Sequence, residues 1–289
     1  MTRRAVITAG TGGIGLEIAL GLTRAGFAVT VIGRNAERGA RAVDTLNAQQ
    51  GQPAQFLQAD LASLDQVRAL ATRITTGGDL DLLVNNVGAM YPDHTLIDGL
   101  EASFVVNHLS PYLLTELLLP ALTRRVVNIT SGAVITAKKI FDHVEPPGDY
   151  YGFHWYGRAK LANLAYTLDL AHRLDTTAVD VLAADPGGAA TDMTDGTLHD
   201  PKIVSPALRV LWPLVRRTFE RSTSGSAATA ALPSIEAATG PHPNGTVIGR
   251  HGTPVTPART ATDPRVQQAV RRLSERHAPL RRVPDGVSN

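Results

Sequence analysis

Tyr156 and Lys160 stand four residues apart in the run His154-Trp155-Tyr156-Gly157-Arg158-Ala159-Lys160, and together they could move a proton. The residues that follow, Leu161-Ala162-Asn163-Leu164-Ala165, are good helix formers, so the pair is expected in the first turns of a helix. At i and i+4 the two side chains share one helical face. A free tyrosine hydroxyl titrates near pH ~10, too high for acid–base work at neutrality. A fixed ammonium beside it is expected to stabilise the phenolate and draw that value toward the working range. Tyr-x-x-x-Lys also arises by chance on solvated helix faces, so its meaning depends on what precedes it.

Near the N-terminus stands Ala5-Val6-Ile7-Thr8-Ala9-Gly10-Thr11-Gly12-Gly13-Ile14-Gly15. The β-branched apolar run predicts a buried strand and the following segment, 14–25, an amphipathic helix. Gly10, Gly12 and Gly15 match the dinucleotide fingerprint, in which glycines let the backbone turn tightly against a pyrophosphate at a helix N-terminus. The residues placed against the phosphates are Gly10, Thr11, Gly13, Ile14 and Gly15.

The next landmark bears on which cofactor is bound. After Phe27-Ala28-Val29-Thr30-Val31-Ile32-Gly33, a protein using NAD would carry an acid to hold the ribose 2′-hydroxyl. Here the chain reads Gly33-Arg34-Asn35, and the nearest acid is Glu37. A guanidinium matches phosphate oxygens as a bidentate fork, so Arg34, with Asn35 beside it, points to the 2′-phosphate of NADP(H).

At this point the chain resembles the short-chain dehydrogenase/reductase family along nearly all of its length. The family's Thr-Gly-x-x-x-Gly-x-Gly is similar to Thr8-Ala9 with Gly13-Ile14-Gly15, alanine replacing the first glycine. Asp60-Leu61 resembles the pair that contacts adenine, and Asn85-Asn86-Val87-Gly88 the Asn-Asn-Ala-Gly element. The family's catalytic asparagine, serine, tyrosine and lysine fall on Asn107, Ser131, Tyr156 and Lys160, and its Pro-Gly-x-x-x-Thr on Pro186, Gly187 and Thr191. The long gap from Ser131 to Tyr156 and the ending near Asp263-Pro264-Arg265 are similar to the retinol-dehydrogenase-like branch.

The resemblance implies transfer of a hydride between nicotinamide and a carbonyl or alcohol, with Tyr156 exchanging the proton. It implies that Ser131 holds the substrate oxygen and that Lys160 both lowers the Tyr156 pKa and holds the nicotinamide ribose. Asn107 would hold a water linking that lysine to solvent, Thr191 would meet the carboxamide, and Asn85, Asn86 and Gly88 would line the cofactor. Thr8 is expected to brace the phosphate loop. Two other readings stay open: the same site acting on a conjugated C=C bond or dehydrating a natural-product intermediate, and a non-catalytic NADP(H)-binding scaffold or sensor.

Positioning these residues requires alternating elements. Strands are expected near 4–9, 27–33, 54–59, 81–85, 125–130, 179–184 and 245–249. Helices are expected near 14–25, 36–50, 63–75, 99–122, 155–174 and 223–238. That order predicts a single doubly wound Rossmann-type α/β domain over 1–289, with a central parallel sheet of about seven strands and ligands at the C-terminal strand ends. Gly10, Arg34, Asp60, Asn85, Ser131 and Pro186 all follow strands.

Between residues 201 and 221, Leu208, Leu211, Trp212, Val215 and Phe219 alternate with arginines in an amphipathic helical pattern. A substrate lid over about 192–222 is expected, a membrane-surface or packing helix being the other readings. The aromatic insert 141–155 could line a hydrophobic pocket or simply pack a long loop, and His154 reads as incidental. A C-terminal helical extension over about 263–289 carries an arginine cluster, Arg265, Arg271, Arg272, Arg276, Arg281 and Arg282, expected to be solvated.

With 289 residues, a formal charge of +2 and no cysteine, the chain gives no sign of a disulfide framework, a cysteine-ligated metal or a nucleic-acid partner. Its histidines lack metal-ligand spacing, so no metal is assigned. The first strand begins within five residues of Met1, and no apolar run approaches membrane-spanning length, so a cytoplasmic enzyme without membrane association is expected. The partner is a small-molecule substrate; a homo-oligomer stays open.

Overall fold

A computed structural model describes residues 2–137, 139–145, 148–187, 203–209 and 225–281. Among the described residues ten strands form in chain order: β1 Arg4–Ile7, β2 Ala28–Gly33, β3 Gln55–Gln58, β4 Leu80–Asn85, β5 Leu96–Ile97, β6 Leu100–Glu101, β7 Leu122–Ile129, β8 Asp180–Ala184, β9 Val247–Ile248 and β10 Pro254–Val255. Eight of them make one sheet in the order β10-β9-β8-β7-β4-β1-β2-β3, parallel throughout except for the β9–β10 pair. The seven expected strands are thus the seven parallel ones. β10 is only two residues long, too short to carry a periodic signal.

Helices cover both faces, as parallel strands with crossover connections require. They are α1 Gly13–Arg24, α2 Ala36–Asn47, α3 Leu64–Thr75, α4 Ser110–Leu118, α5 Gly152–Arg173, α6 Ala227–Thr239 and α7 Pro264–His277. Strand residues alternate between two hydrophobic clusters. Ile7, Val31, Leu82 and Val84 pack with Ile18, Leu22, Leu46 and Ala231 of α1, α2 and α6. Val6, Ile32 and Leu83 pack with Leu70, Leu113 and Ala162 of α3, α4 and α5 on the other side. Strand order reverses between β1 and β4, and it is at such a switch point that open α/β sheets bind ligands.

The expected helix over 99–122 is broken up. Asp98 and Gly99 adopt φ of +50° and +78°, the left-handed pair of a tight hairpin turn, and Leu100–Glu101 pairs back on Leu96–Ile97. The buried Glu101 carboxylate then accepts from the Ser103 and Phe104 amides at 2.7 and 2.8 Å and starts a helical turn, Ala102–Phe104. Val105–Leu109 widens to a π turn before α4. The Asp98-Gly99 pair was the local signal that the apolar periodicity on either side hid.

α7 is amphipathic and docks by Val270 and Leu273. Its arginines are not all solvated: Arg271 ion-pairs with the buried Asp169 of α5. Among the described residues, no helix is long and apolar enough to cross a membrane.

Candidate active site

The loop from β1 to α1 is held in a strained shape. Ala9 takes φ +51°, a left-handed conformation that costs an L-residue about 1–2 kcal/mol, and Gly13 takes the same angle. A Cβ on Gly15 would stand 2.2 Å from the Ala9 carbonyl oxygen and 2.5 Å from Asn86 Nδ2, so glycine is the residue that lets α1 begin this close to the loop. No side chain caps α1, and its first amides are left for an anion. Thr8 braces as expected: its Oγ1 accepts from the Asn86 and Val87 amides at 2.9 and 3.0 Å. Asn86 returns the tie, donating from Nδ2 to the Thr8 and Ala9 carbonyls at 3.2 and 3.3 Å.

At the β2 and β3 ends, Arg34 and Asp60 face an open cavity of about 580 Å³ together with Gln58, Gln66 and Arg73. Asn35 is otherwise employed, its Oδ1 accepting the Arg38 amide at 2.8 Å to cap α2. Leu61 is buried in the core.

Ser131 ends the segment that leaves β7, and its Oγ accepts the Ala133 amide at 3.2 Å, starting the short helix Gly132–Thr136. The same hydroxyl stands close enough to the Tyr156 phenol to favour its ionised form. Tyr156 and Lys160 lie in α5 and are buried. Lys160 Nζ donates to the Ile129 carbonyl at 3.0 Å and lies 5.9 Å from the Tyr156 ring centroid. Gly88 completes the strip: a Cβ there would stand 3.3 Å from Asn107 Oδ1 and 3.4 Å from Lys160 Nζ.

Lys160 does not draw the Tyr156 pKa down here. Burial pushes the phenol up to about 12, against a lowering by the Ser131 hydrogen bond. Burial also pushes the Lys160 ammonium down to about 8, with the Asp185 carboxylate opposing. Desolvation outweighs the other influences, and the phenol is held protonated.

Against known proteins, residues 3–202 match the profile of the short chain dehydrogenase family. The chain belongs to the short-chain dehydrogenase/reductase family. It is 35% identical to mouse retinol dehydrogenase 12 over 228 residues, 76% of this chain and 70% of that protein. It is also 35% identical to mouse polyprenol dehydrogenase over 247 residues, 81% of this chain and 73% of that protein. The Pseudomonas aeruginosa RhlG/NADP active-site complex superposes with a TM-score of 0.67 at 29% identity, over 86% of this chain and 95% of that one. The dehydrogenase is therefore an oxidoreductase that binds a nicotinamide cofactor.

The side chains of two asparagines of the dehydrogenase are engaged by other protein groups. The Asn85 side chain turns into the core, donating at 2.8 Å to both Thr115 Oγ1 and Asn128 Oδ1. Asn107 spends its amide on backbone: Nδ2 donates to the Ala89 and Ser103 carbonyls at 2.7 and 2.8 Å, and Oδ1 accepts the Ala89 amide at 3.1 Å. It braces the loop after β4 beside Lys160, and its own carbonyl accepts from Asn163 Nδ2 at 2.8 Å. Pro186 is described, and Gly187 takes φ +67°, donating its amide to Asp185 Oδ1 at 2.9 Å. Thr191 lies outside the described residues, as do Leu211, Trp212, Val215 and Phe219 of the expected lid.

Sequence reasoning missed three groups. Asp185 lies next to the site: its Oδ2 is 3.9 Å from where a Gly132 Cβ would stand, and its charge acts on both Tyr156 and Lys160. Its only sequence signal was an acid directly before Pro186-Gly187. Arg158, buried two residues past Tyr156, donates to the Ile140, His143 and Val144 carbonyls and clamps the insert. His154 is not incidental. Its Nδ1 lies 3.1 Å from the Thr136 carbonyl, and its Nε2 accepts the Ser205 amide at 3.3 Å, both satisfied by the Nδ1–H tautomer. The insert aromatics pack the loop: the Tyr150 and Trp155 rings meet at a 53° tilt with centroids 4.8 Å apart, and the Tyr150 hydroxyl donates to the Tyr91 carbonyl at 2.7 Å.

Gly157 sets the spacing between Tyr156 and Ser131. A Cβ there would fall 2.4 Å from the Ala133 carbonyl oxygen and 2.8 Å from Thr136 Oγ1. Backbone cannot yield cheaply, so Gly157→Ala must push α5 off the Gly132–Thr136 turn. Thermal unfolding should show a loss of about 1–3 kcal/mol, the usual cost of overpacking. Turnover should fall by roughly tenfold or more, because the two hydroxyls are moved apart.

Proposed function

We propose that this dehydrogenase transfers hydride between NADP(H) and a hydrophobic carbonyl/alcohol substrate, with Tyr156 as the acid–base group. The observation that carries the reading is that Ser131 and Tyr156 stand close enough for the serine hydroxyl to act on the phenol, with Lys160 buried one helical turn on. Retinol and polyprenol are named in the two mouse relatives, which supports a hydrophobic substrate.

The residues present fit a dinucleotide. The uncapped α1 amides and the loop glycines suit a pyrophosphate, and the cavity at Arg34 and Asp60 suits the adenosine end. When bound, the nicotinamide supplies or receives the hydride. In reduction, the Tyr156 hydroxyl gives its proton to the carbonyl oxygen, and in oxidation the phenolate takes it back. Ser131 donates to the same oxygen and fixes its distance from the phenol. Lys160, anchored on the Ile129 carbonyl, presents a cation beside Gly88 where the cofactor ribose would lie. Asn107 keeps that strip in place through Ala89.

The test is NADPH consumption with a panel of hydrophobic aldehydes, ketones and enones. Turnover of the carbonyls is expected. Turnover of enones alone would replace the assignment with C=C reduction, and none at all would favour a scaffold. Arg34 contributes to the cofactor preference: NADPH should bind the parent at least about tenfold more tightly than NADH, or ~1.4 kcal/mol. Arg34→Ala should remove most of that difference and leave NADH binding nearly unchanged. Equal binding of both cofactors by the parent would overturn the NADP(H) assignment.

A further inference from the structure

The cavity that receives Arg34 has a second guanidinium in its wall. Arg73, in the last turn of α3, lines the same space as Arg34, Gln58, Asp60 and Gln66. Its volume of about 580 Å³ lies within the range of small-molecule sites, roughly 300–1,000 Å³.

Gln58, the last residue of β3, ties the two arginines together. Its Nε2 donates to the Arg34 carbonyl at 2.8 Å, while its own carbonyl accepts Arg73 Nη1 at 3.2 Å. Gln66 is also fixed, because its Oε1 accepts the Asp60 amide at 2.9 Å. Asp60 Oδ1 is engaged by the Ala62 amide at 3.0 Å.

Among the described residues neither Arg34 nor Arg73 has an ion-pair partner. A guanidinium carries five N–H donors, and the Gln58 carbonyl uses only one of those on Arg73. Two cations with spare donors face one cavity that holds a single carboxylate. That balance calls for an added anion of more than one charge with several acceptor oxygens. A phosphate monoester carries about −1.5 to −2 near neutrality and three such oxygens. A ribose diol carries neither, and two arginines would give it no advantage.

We propose that Arg73 is a phosphate-binding residue which, together with Arg34, selects a 2′-phosphorylated adenosine. The proposal rests on the NADP(H) reading above. It adds that discrimination is shared between the end of β2 and the end of α3, so that neither arginine carries it alone.

Binding of NADPH, NADH and 2′,5′-ADP to the purified full chain, by fluorescence or calorimetry, tests it. Arg73→Ala should weaken NADPH and 2′,5′-ADP by roughly tenfold, as expected for one charge-assisted contact, and move NADH by less than about twofold. Arg73→Lys should recover part of the loss, because it restores charge without the fork. The gap between parent and Arg73→Ala should narrow as salt is raised.

Three results overturn the proposal. NADPH and 2′,5′-ADP binding unmoved by Arg73→Ala would show that Arg73 takes no part. NADPH and NADH weakened alike, with a lower melting temperature, would show that Arg73 only holds α3 to Gln58. A parent that binds NADH as well as NADPH would remove the NADP(H) reading itself. In the first two cases the parent keeps its preference, so failure of this inference is distinguishable from failure of that reading.

Discussion

Tyr156→Phe should lower kcat by roughly two to four powers of ten while the fold and cofactor binding survive. The substitution removes one hydroxyl from a side chain that is buried at the Ser131 end of α5, and the ring that packs there is retained. NADPH titration and circular dichroism should match the parent. Because burial holds the phenol at about 12, the tyrosine is protonated across neutral pH, which is the form that carbonyl reduction uses. Reduction should therefore persist at neutral pH. Any pH-dependent limb assigned to Tyr156 must vanish in the phenylalanine variant. A Tyr156→Phe protein that keeps near-parental kcat on its substrate would sink the acid–base assignment.

Lys160→Met should abolish most turnover, about a hundredfold or more, and should weaken cofactor binding as well. It should also change how stability depends on pH. The folded protein holds this ammonium down at about 8, against 10.5 when free, so between those values the unfolded chain binds the extra proton. Parental stability should rise with pH from about 8 to 10.5, by on the order of 3 kcal/mol at most, and stay at its lower level below pH 8. Urea unfolding of parent and variant without cofactor across that window measures it, and the slope should flatten in Lys160→Met. A buried cation that costs stability at neutral pH and is kept for chemistry is the usual mark of a functional site. If the variant keeps the same slope, Lys160 is not the buried titrating group.

Much of the architecture could be read along the chain, because each parallel strand is a short apolar run covered on both faces and the helices between repeat their apolar residues on one side. All seven expected parallel strands formed, and Gly10, Arg34, Asp60 and Ser131 follow the C-terminal ends of four of them. Local chemistry also named Ser131, Tyr156 and Lys160, since one helical face and one strand end suffice to bring them together. What could not be read were quantities that depend on residues far apart in sequence. The sign of the Tyr156 shift follows from burial by the whole fold, which no spacing reports. The inward turn of Asn85 needs Thr115 and Asn128, contributed by α4 and β7. Arg73 reaches the Arg34 cavity because α3 returns along the sheet edge, thirty-nine residues later in the chain. His154 looked incidental because its partners, Thr136 and Ser205, approach from separate segments. Periodicity reports which face of an element is buried; the identity of the group it meets there is set by packing between elements.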